Sequence, residues 1–353
     1  MRRIRTNKEG GGQMERDEEV VLELNGLRAH FRIKEGVLKA VDGIGFAIKR
    51  RRTLGIVGES GCGKSVTSQA ILRLLPSFAT VGGEVLLRRT KEGRAETVDI
   101  AKLDPNGEEM RSIRGGEIAI IFQEPMKAFS PIHTIGDQIT EAILLHRTKD
   151  RKEAKRIALE TLRKVGMSNP EQRLNEYPHQ LSGGMRQRAM IAMAVAGNPS
   201  VLIADEPTTA LDVTVQAQVL RLINELKESN GTSVIFITHD LGVIAEMSDE
   251  VAVMYLGKVV EYTDVDTLFY GALHPYTQAL LASIPSISRK HERLETIEGT
   301  VPFPVDLPAG CGFYNRCPKA RPGVCNVGDV PLYEVKPGHQ VRCVLAEPGR
   351  EAN

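Results

Sequence analysis

The chain lacks long apolar runs, an excess of either charge, and internal repetition. No stretch approaches the ~18 consecutive apolar residues that a membrane-spanning helix needs; the best run, 189–197, stops at Asn198-Pro199. The 46 Lys and Arg against 45 Asp and Glu leave a formal net charge of +1. No basic excess is present to release counterions, so no nucleic-acid partner is expected. The basic start Met1-Arg-Arg-Ile-Arg is followed by no apolar segment of the kind a secretory leader carries. Hydrophobic content of 41% and charged content of 26% over 353 residues exclude collagen-like, disordered and low-complexity classes. The expectation is a soluble, cytoplasmic chain, able to dock on membrane proteins, with one large domain plus an extension or with two domains. Cysteine is scarce as well: of five, Cys62 lies alone and Cys311, Cys317, Cys325 and Cys343 gather near the C-terminus. In a reducing cytosol such a group suggests metal more than disulfides.

What is present has an α/β rhythm. Residues 1–19 read as a charged, disordered tail. Short strands are expected at 20–24, 45–49, 54–57, 118–122, 201–204 and 234–237. Helical patterns cover 65–75, ended by Pro76, then 134–168 and 213–229, with Asn230-Gly231 as a C-terminal cap. Residues 88–116 are polar and read as loops around a strand at 85–87. Strands alternating with helices predict an α/β fold with a largely parallel core. Residues 300–353 hold 8 of the 18 prolines and four cysteines, with no long periodic run. Such a segment buries little core, which makes a metal staple physically sensible.

Gly58-Glu-Ser-Gly-Cys-Gly-Lys64-Ser65 matches G-x-x-x-x-G-K-[ST] between an expected strand and an expected helix, the context of a phosphate-binding P-loop. Its glycines let the backbone close around phosphate oxygens, and exposed amides at a helix start favour the anion. Lys64 can reach the β- and γ-phosphates, and the Ser65 hydroxyl can ligate Mg²⁺. The contacts expected for the nucleotide come from Ser60, Gly61, Cys62, Gly63, Lys64, Ser65 and Val66; the Cys62 side chain reads as a small filler. Asp205-Glu206 follows an apolar strand, where open α/β sheets bind ligands. Asp205 is assigned to the Mg²⁺ shell and Glu206 to activating water.

Leu181-Ser-Gly-Gly-Met-Arg-Gln187 resembles the signature motif of ABC-type ATPases. Gln123, Asp205-Glu206, Ala210-Leu-Asp212 and His239 stand around it in that family's order, over roughly residues 20–353. The resemblance implies a P-loop ABC-type ATPase domain, with a mixed sheet and a helical subdomain, bearing a small Cys/Pro-rich C-terminal extension. It implies boundaries of 20–270 for the ATPase domain, about 124–195 for the helical subdomain and 271–353 for the extension. Gln123 is implied to touch Mg²⁺ and to communicate with membrane subunits, and His239 to contact the γ-phosphate. Ser182, Gly183, Gly184 and Gln187 are implied to cap ATP on the opposite subunit, and Phe31 to stack on adenine.

Within the family the sequence resembles the ATPase subunits of oligopeptide/dipeptide importers, over 177–212, the P-loop, Phe122-Gln-Glu-Pro-Met126, His274-Pro-Tyr-Thr277 and the tail Cys311-Gly-Phe-Tyr-Asn-Arg-Cys317-Pro. That implies ATP hydrolysis powering peptide import from the cytoplasmic face of the membrane. The implied partners are a paralogous ATPase subunit, two permease subunits and an external solute-binding protein. Nickel, glutathione or oligosaccharide are alternative cargoes. A soluble ABC-type ATPase of DNA repair or translation fits less well, since there is one P-loop, one signature and no coiled-coil heptad run. Two departures stand out: Arg51-Arg52 replaces a usual Gly-Glu, and Lys127-Ala-Phe-Ser130 a commoner Thr-Ser-Leu-Asn.

The cysteine spacing, C-x5-C-x7-C-x17-C, lacks the C-x₂₋₄-C pair of structural zinc sites. Four thiolates, with Pro318 after Cys317, favour an iron–sulfur site over zinc. The resemblance implies a [4Fe–4S] cluster on Cys311, Cys317, Cys325 and Cys343, with zinc as the alternative.

Overall fold

The structure, a computed structural model, describes residues 19–349 apart from 92, 210, 285–296, 306 and 308. Most of the expected tail, residues 1–18, and Ala210 lie outside the described residues.

The strands expected at 20–24 and 45–49 are the ends of something longer. β1 (Val20–Ile33) and β2 (Gly36–Lys49) form an antiparallel hairpin. Register shifts, one of them between Leu24 and Leu27, break the alternation of apolar residues and hide each strand from a period-two reading. After β3 (Thr53–Val57) and α1 (Lys64–Ile71), β4 (Ala79–Lys91) and β5 (Arg94–Asp99) join the hairpin in the order β2-β1-β4-β5. α1 stops short of the expected Leu75 because Arg73 turns into the left-handed region at φ 54°.

The loop expectation for 88–116 is therefore corrected: β4, β5 and α2 (Glu108–Ile113) occupy much of it. Two of its charges pair across the sheet. Arg88 donates to Glu23 at 2.6 Å, and the buried Arg89 forks between Glu96 (2.6 Å) and Glu109 (2.7 Å).

A second sheet follows. β6 (Ile118–Ile121) leads into a helical layer whose main members are α3 (Ile135–His146), α4 (Arg151–Lys164) and α5 (Gly183–Val195). The helical stretch at 134–168 is thus two helices, the second capped by Asp150. β7 (Val201–Asp205), α6 (Val213–Asn230), β8 (Ser233–Ile237), α7 (Leu241–Met247), β9 (Glu250–Tyr255) and β10 (Lys258–Asp264) complete the core. Gly231, at φ 69°, ends α6 as expected. β9, β3, β8, β7 and β6 run parallel. Every residue of β3, β7 and β8 is buried, as in parallel strands covered on both faces, where apolar runs are continuous.

Beyond α8 (Val265–Gly271) and α9 (Pro275–Ala282), the Cys/Pro-rich segment does more than cover the surface. Its strands β11 (Tyr333–Lys336) and β12 (His339–Val341) extend the main sheet past β10, giving the order β11-β12-β10-β9-β3-β8-β7-β6 among the described residues. Phe313, Val330 and Val341 are buried. The buried Glu261 carboxylate on β10 accepts from the amides of Leu273 (2.7 Å) and His274 (3.0 Å) and lies 2.8 Å from His339 Nε2. A buried carboxylate with three such partners is satisfied, and it ties α9 and β12 to the sheet.

Candidate functional site

The loop between β3 and α1 is shaped by close backbone approach. A Cβ on Gly58 would lie 2.2 Å from the Met254 carbonyl oxygen, and one on Gly63, at φ 103°, 2.2 Å from that of Ala40. Only glycine fits either place. Lys64 Nζ donates to the Gly58 and Glu59 carbonyls at 2.8 and 3.1 Å, inside the loop it would share with phosphate. Ser60 and Gly61 are exposed, and the Val66 side chain packs on the core. Cys62 is fully buried, burial pushes its thiol pKa up, and its Sγ lies 3.8 Å from Lys64 Nζ.

β7 delivers the acidic pair. Asp205 is buried, and its two carboxylate oxygens accept from Ser65 Oγ (3.0 Å) and Ser68 Oγ (3.2 Å). Burial raises its pKa against the pull of those two hydroxyls. A desolvated carboxylate beside a serine hydroxyl at the start of α1 is a donor set suited to a hard cation such as Mg²⁺. Glu206 turns the other way because its backbone is bent into the left-handed region at φ 47°, a strain of the kind that clusters at working sites. Its carboxylate accepts from Gln123 Nε2 at 3.0 Å and Thr209 Oγ1 at 2.9 Å, and His239 Nδ1 lies 3.5 Å from it. The structure thus brings Gln123, Asp205, Glu206 and His239 together at the carboxyl ends of β6, β7 and β8, with Ser65 bonded to Asp205 at the start of α1.

Other expected residues are held elsewhere. Ser182 caps α5 by accepting from the Met185 amide, and Gly183 faces open space. Gly184 lies against Val215 at the start of α6. Gln187 is buried, its amide donating to the Pro207 carbonyl at 2.6 Å; it braces α5 against the loop after Asp205 and is withdrawn from the exposed surface. Phe31 is half-buried, 6.0 Å from Phe78 between ring centroids, and pairs across the hairpin with Leu38, two residues before the Ala40 that abuts Gly63.

Two further participants stand outside the expected set. Ser68 sits one turn beyond Ser65, a spacing readable from sequence. Glu59 is gripped by residues more than 200 positions away: its amide donates to Tyr276 Oη at 2.9 Å, and its carboxylate accepts two bonds from Arg316, at 2.7 and 3.0 Å.

The four C-terminal cysteines line one small cavity with His274 and Phe313. Burial pushes the Cys311 thiol up to about 11 and raises Cys317 and Cys343 as well. Cys325 Sγ accepts from the Arg321 amide at 3.4 Å. His274 is buried, with Nδ1 accepting from the Tyr276 amide and Nε2 without a partner. Among the described residues no group of three or more His, Cys, Asp or Glu is arranged to hold a metal ion.

A P-loop, a glutamine, an acidic pair and a histidine at the strand ends of a mixed sheet define an ATPase of the ABC type. Family models match in two places, ABC transporter over residues 41–209 and oligopeptide/dipeptide transporter C-terminal region over 260–325. The probable peptide ABC transporter ATP-binding protein y4tR of Sinorhizobium fredii is 51% identical over 328 residues, 92% of this chain and 95% of that protein. The oligopeptide transport ATP-binding protein AppD of Bacillus subtilis is 49% identical, with 93% and 97% covered. The chain belongs to the ATP-binding subunits of ABC transporters, in the oligopeptide/dipeptide group. The fold also matches a dimeric ATP-binding cassette solved after hydrolysis with ADP and phosphate, with TM-score 0.59, 27% identity, and 69% of this chain and 98% of that one covered. The chain is an ATPase whose hydrolysis is coupled to transport.

Proposed function

We propose that this chain is one of two paralogous ATPase subunits on the cytoplasmic face of a membrane, driving two permease subunits that receive peptides from an external solute-binding protein. Among the described residues no helix is long and apolar enough to cross a membrane, so a chain with this role reaches the bilayer through partners. The cargo rests on relatives named for peptide transport; nickel, glutathione or oligosaccharide are the alternatives.

The observation that carries the mechanism is the Glu206 carboxylate held between Gln123 and Thr209 beside His239. Glu206 polarises the attacking water, and His239 holds the γ-phosphate. Lys64, released from its two loop carbonyls, takes the β- and γ-phosphates, and Phe31 stacks on adenine. Ser65, Asp205 and Gln123 would hold Mg²⁺, which when bound neutralises charge on the β- and γ-oxygens. The exposed Ser182–Gly184 turn at the start of α5 offers its amides to ATP on the other subunit, so hydrolysis requires the pair to close.

The test is reconstitution with the permeases and binding protein in vesicles, reading ATP-dependent uptake of a labelled peptide mixture. Uptake that peptides stimulate and compete for is expected. Uptake of nickel, glutathione or oligosaccharide instead would replace the cargo. ATPase activity indifferent to the permeases would overturn the transport role.

For the cysteine cavity the reading is a [4Fe–4S] staple. The four thiols line one cavity, and a set of four thiolates is the ligand complement of an iron–sulfur site. The unpartnered His274 N–H and the Arg321 amide on Cys325 are donors of the kind that tune cluster sulfurs. Protein purified without oxygen should carry about four irons and four acid-labile sulfides per chain. Stoichiometric zinc would replace the cluster, and no metal would remove the site.

A further inference from the structure

The P-loop contains an acid, Glu59, where the site must accept a polyphosphate. An uncompensated carboxylate there would repel ATP, and in a half-buried site the repulsion is poorly screened. The structure compensates it. Arg316 forks onto both oxygens of Glu59 at 2.7 and 3.0 Å, with its own side chain only 5% exposed. The pair is a planar, bidentate, charge-assisted contact, the strongest form such a contact takes. Its geometry is fixed from behind: Arg316 also donates to Tyr255 Oη (3.3 Å) and to the Glu298 carbonyl (2.9 Å), and lies over the Tyr255 ring. Tyr255 packs against Tyr276, whose hydroxyl receives the Glu59 amide.

We propose that Arg316 is a positioning residue of the nucleotide site: from the loop between Cys311 and Cys317 it neutralises Glu59 and so makes the P-loop able to take ATP. Arg316 acts through Glu59, which it reaches across 257 positions of sequence. The loop bearing two of the four cysteines is therefore part of the ATP site. The inference rests on ATP binding alone and holds whether or not the cysteines carry metal.

The experiment measures ATP, ADP and AMP affinity of the full-length chain by calorimetry, with iron and free-thiol content determined on the same samples. R316Q leaves Glu59 charged and alone, and is expected to weaken ATP about tenfold, ADP less and AMP little. E59Q/R316Q removes the stranded charge and is expected to return ATP affinity close to wild type. A merely structural arginine would not be rescued by removing its partner's charge. The proposal is overturned if R316Q binds ATP as wild type does, if all three nucleotides weaken equally, or if E59Q/R316Q stays as weak as R316Q. If R316Q does not fold, R316K keeps the charge that neutralises Glu59 and loses only the fork, so ATP affinity within a few-fold of wild type is expected; a loss in folded R316K as large as tenfold that E59Q/R316K does not recover overturns the proposal. Metal and thiol content separate the failures: a variant with wild-type iron and free-thiol content that loses ATP affinity reports on Glu59, not on the cysteine site.

Discussion

Gln123 Nε2 donates to Glu206 Oε2 over 3.0 Å, joining the end of β6 to the end of β7 across 83 residues of sequence. Thr209 donates to the same oxygen at 2.9 Å. Two donors on one oxygen leave the other carboxylate oxygen turned toward His239, 3.5 Å away.

Glu206→Gln keeps the shape and removes the base. ATP should still bind, while turnover falls about 10²–10⁴-fold, read by single-turnover hydrolysis in the assembled transporter. Turnover within a few-fold of wild type would reassign the base.

Gly183 separates folding from assembly. A Cβ there meets nothing within 4 Å, so Gly183→Ala should leave stability unchanged or raise it by up to about 1 kcal/mol. Hydrolysis by the closed pair should nevertheless drop, because the methyl group occupies the face offered to the partner's nucleotide. A thermal melt and an ATPase assay on one sample decide it; unchanged activity would remove Gly183 from the interface.

Gly58 behaves in the opposite way. Its added Cβ would stand 2.2 Å from the Met254 carbonyl oxygen and 2.8 Å from Cys62 Sγ. Gly58→Ala should lower stability by about 1–3 kcal/mol, as overpacking does, and weaken ATP binding together with it. Denaturant unfolding at neutral pH measures the first, and a variant as stable as wild type would show that the backbone yields there.

Acid sensitivity has a source in the helical layer. Burial, with Lys149 nearby, holds the His146 imidazole below the ordinary histidine range. The unfolded chain protonates near pH 6.5 and the folded chain only at lower pH. Between those values the unfolded state binds more protons, so stability is present above about pH 6.5 and is lost as pH falls. His146→Gln should lose less Tm than wild type between pH 7.5 and 5.5; equal losses would place the sensitivity elsewhere.

The P-loop, the acidic pair and the buried strands were legible from the chain alone because each is a local property. Gly58 to Ser65 is one contiguous turn, and β3, β7 and β8 are short uninterrupted apolar runs. The charged strands β4 and β5 were not legible, since Arg88 and Arg89 are accommodated by Glu23, Glu96 and Glu109, partners that only a sheet supplies. Gln187 is placed at the nucleotide by the family resemblance alone, and its amide is buried against the Pro207 carbonyl.

By itself, then, the sequence determined the ATPase class and the identity of the residues at the strand ends, through motifs whose geometry is set within a few bonds. The tertiary structure alone decided that β11 and β12 continue the main sheet and that Arg316 closes on Glu59. The reason is physical. Which distant charge neutralises which depends on the faces that pack together, and that is settled by burial of Phe313, Tyr276 and Tyr255 against one another, not by any spacing along the chain.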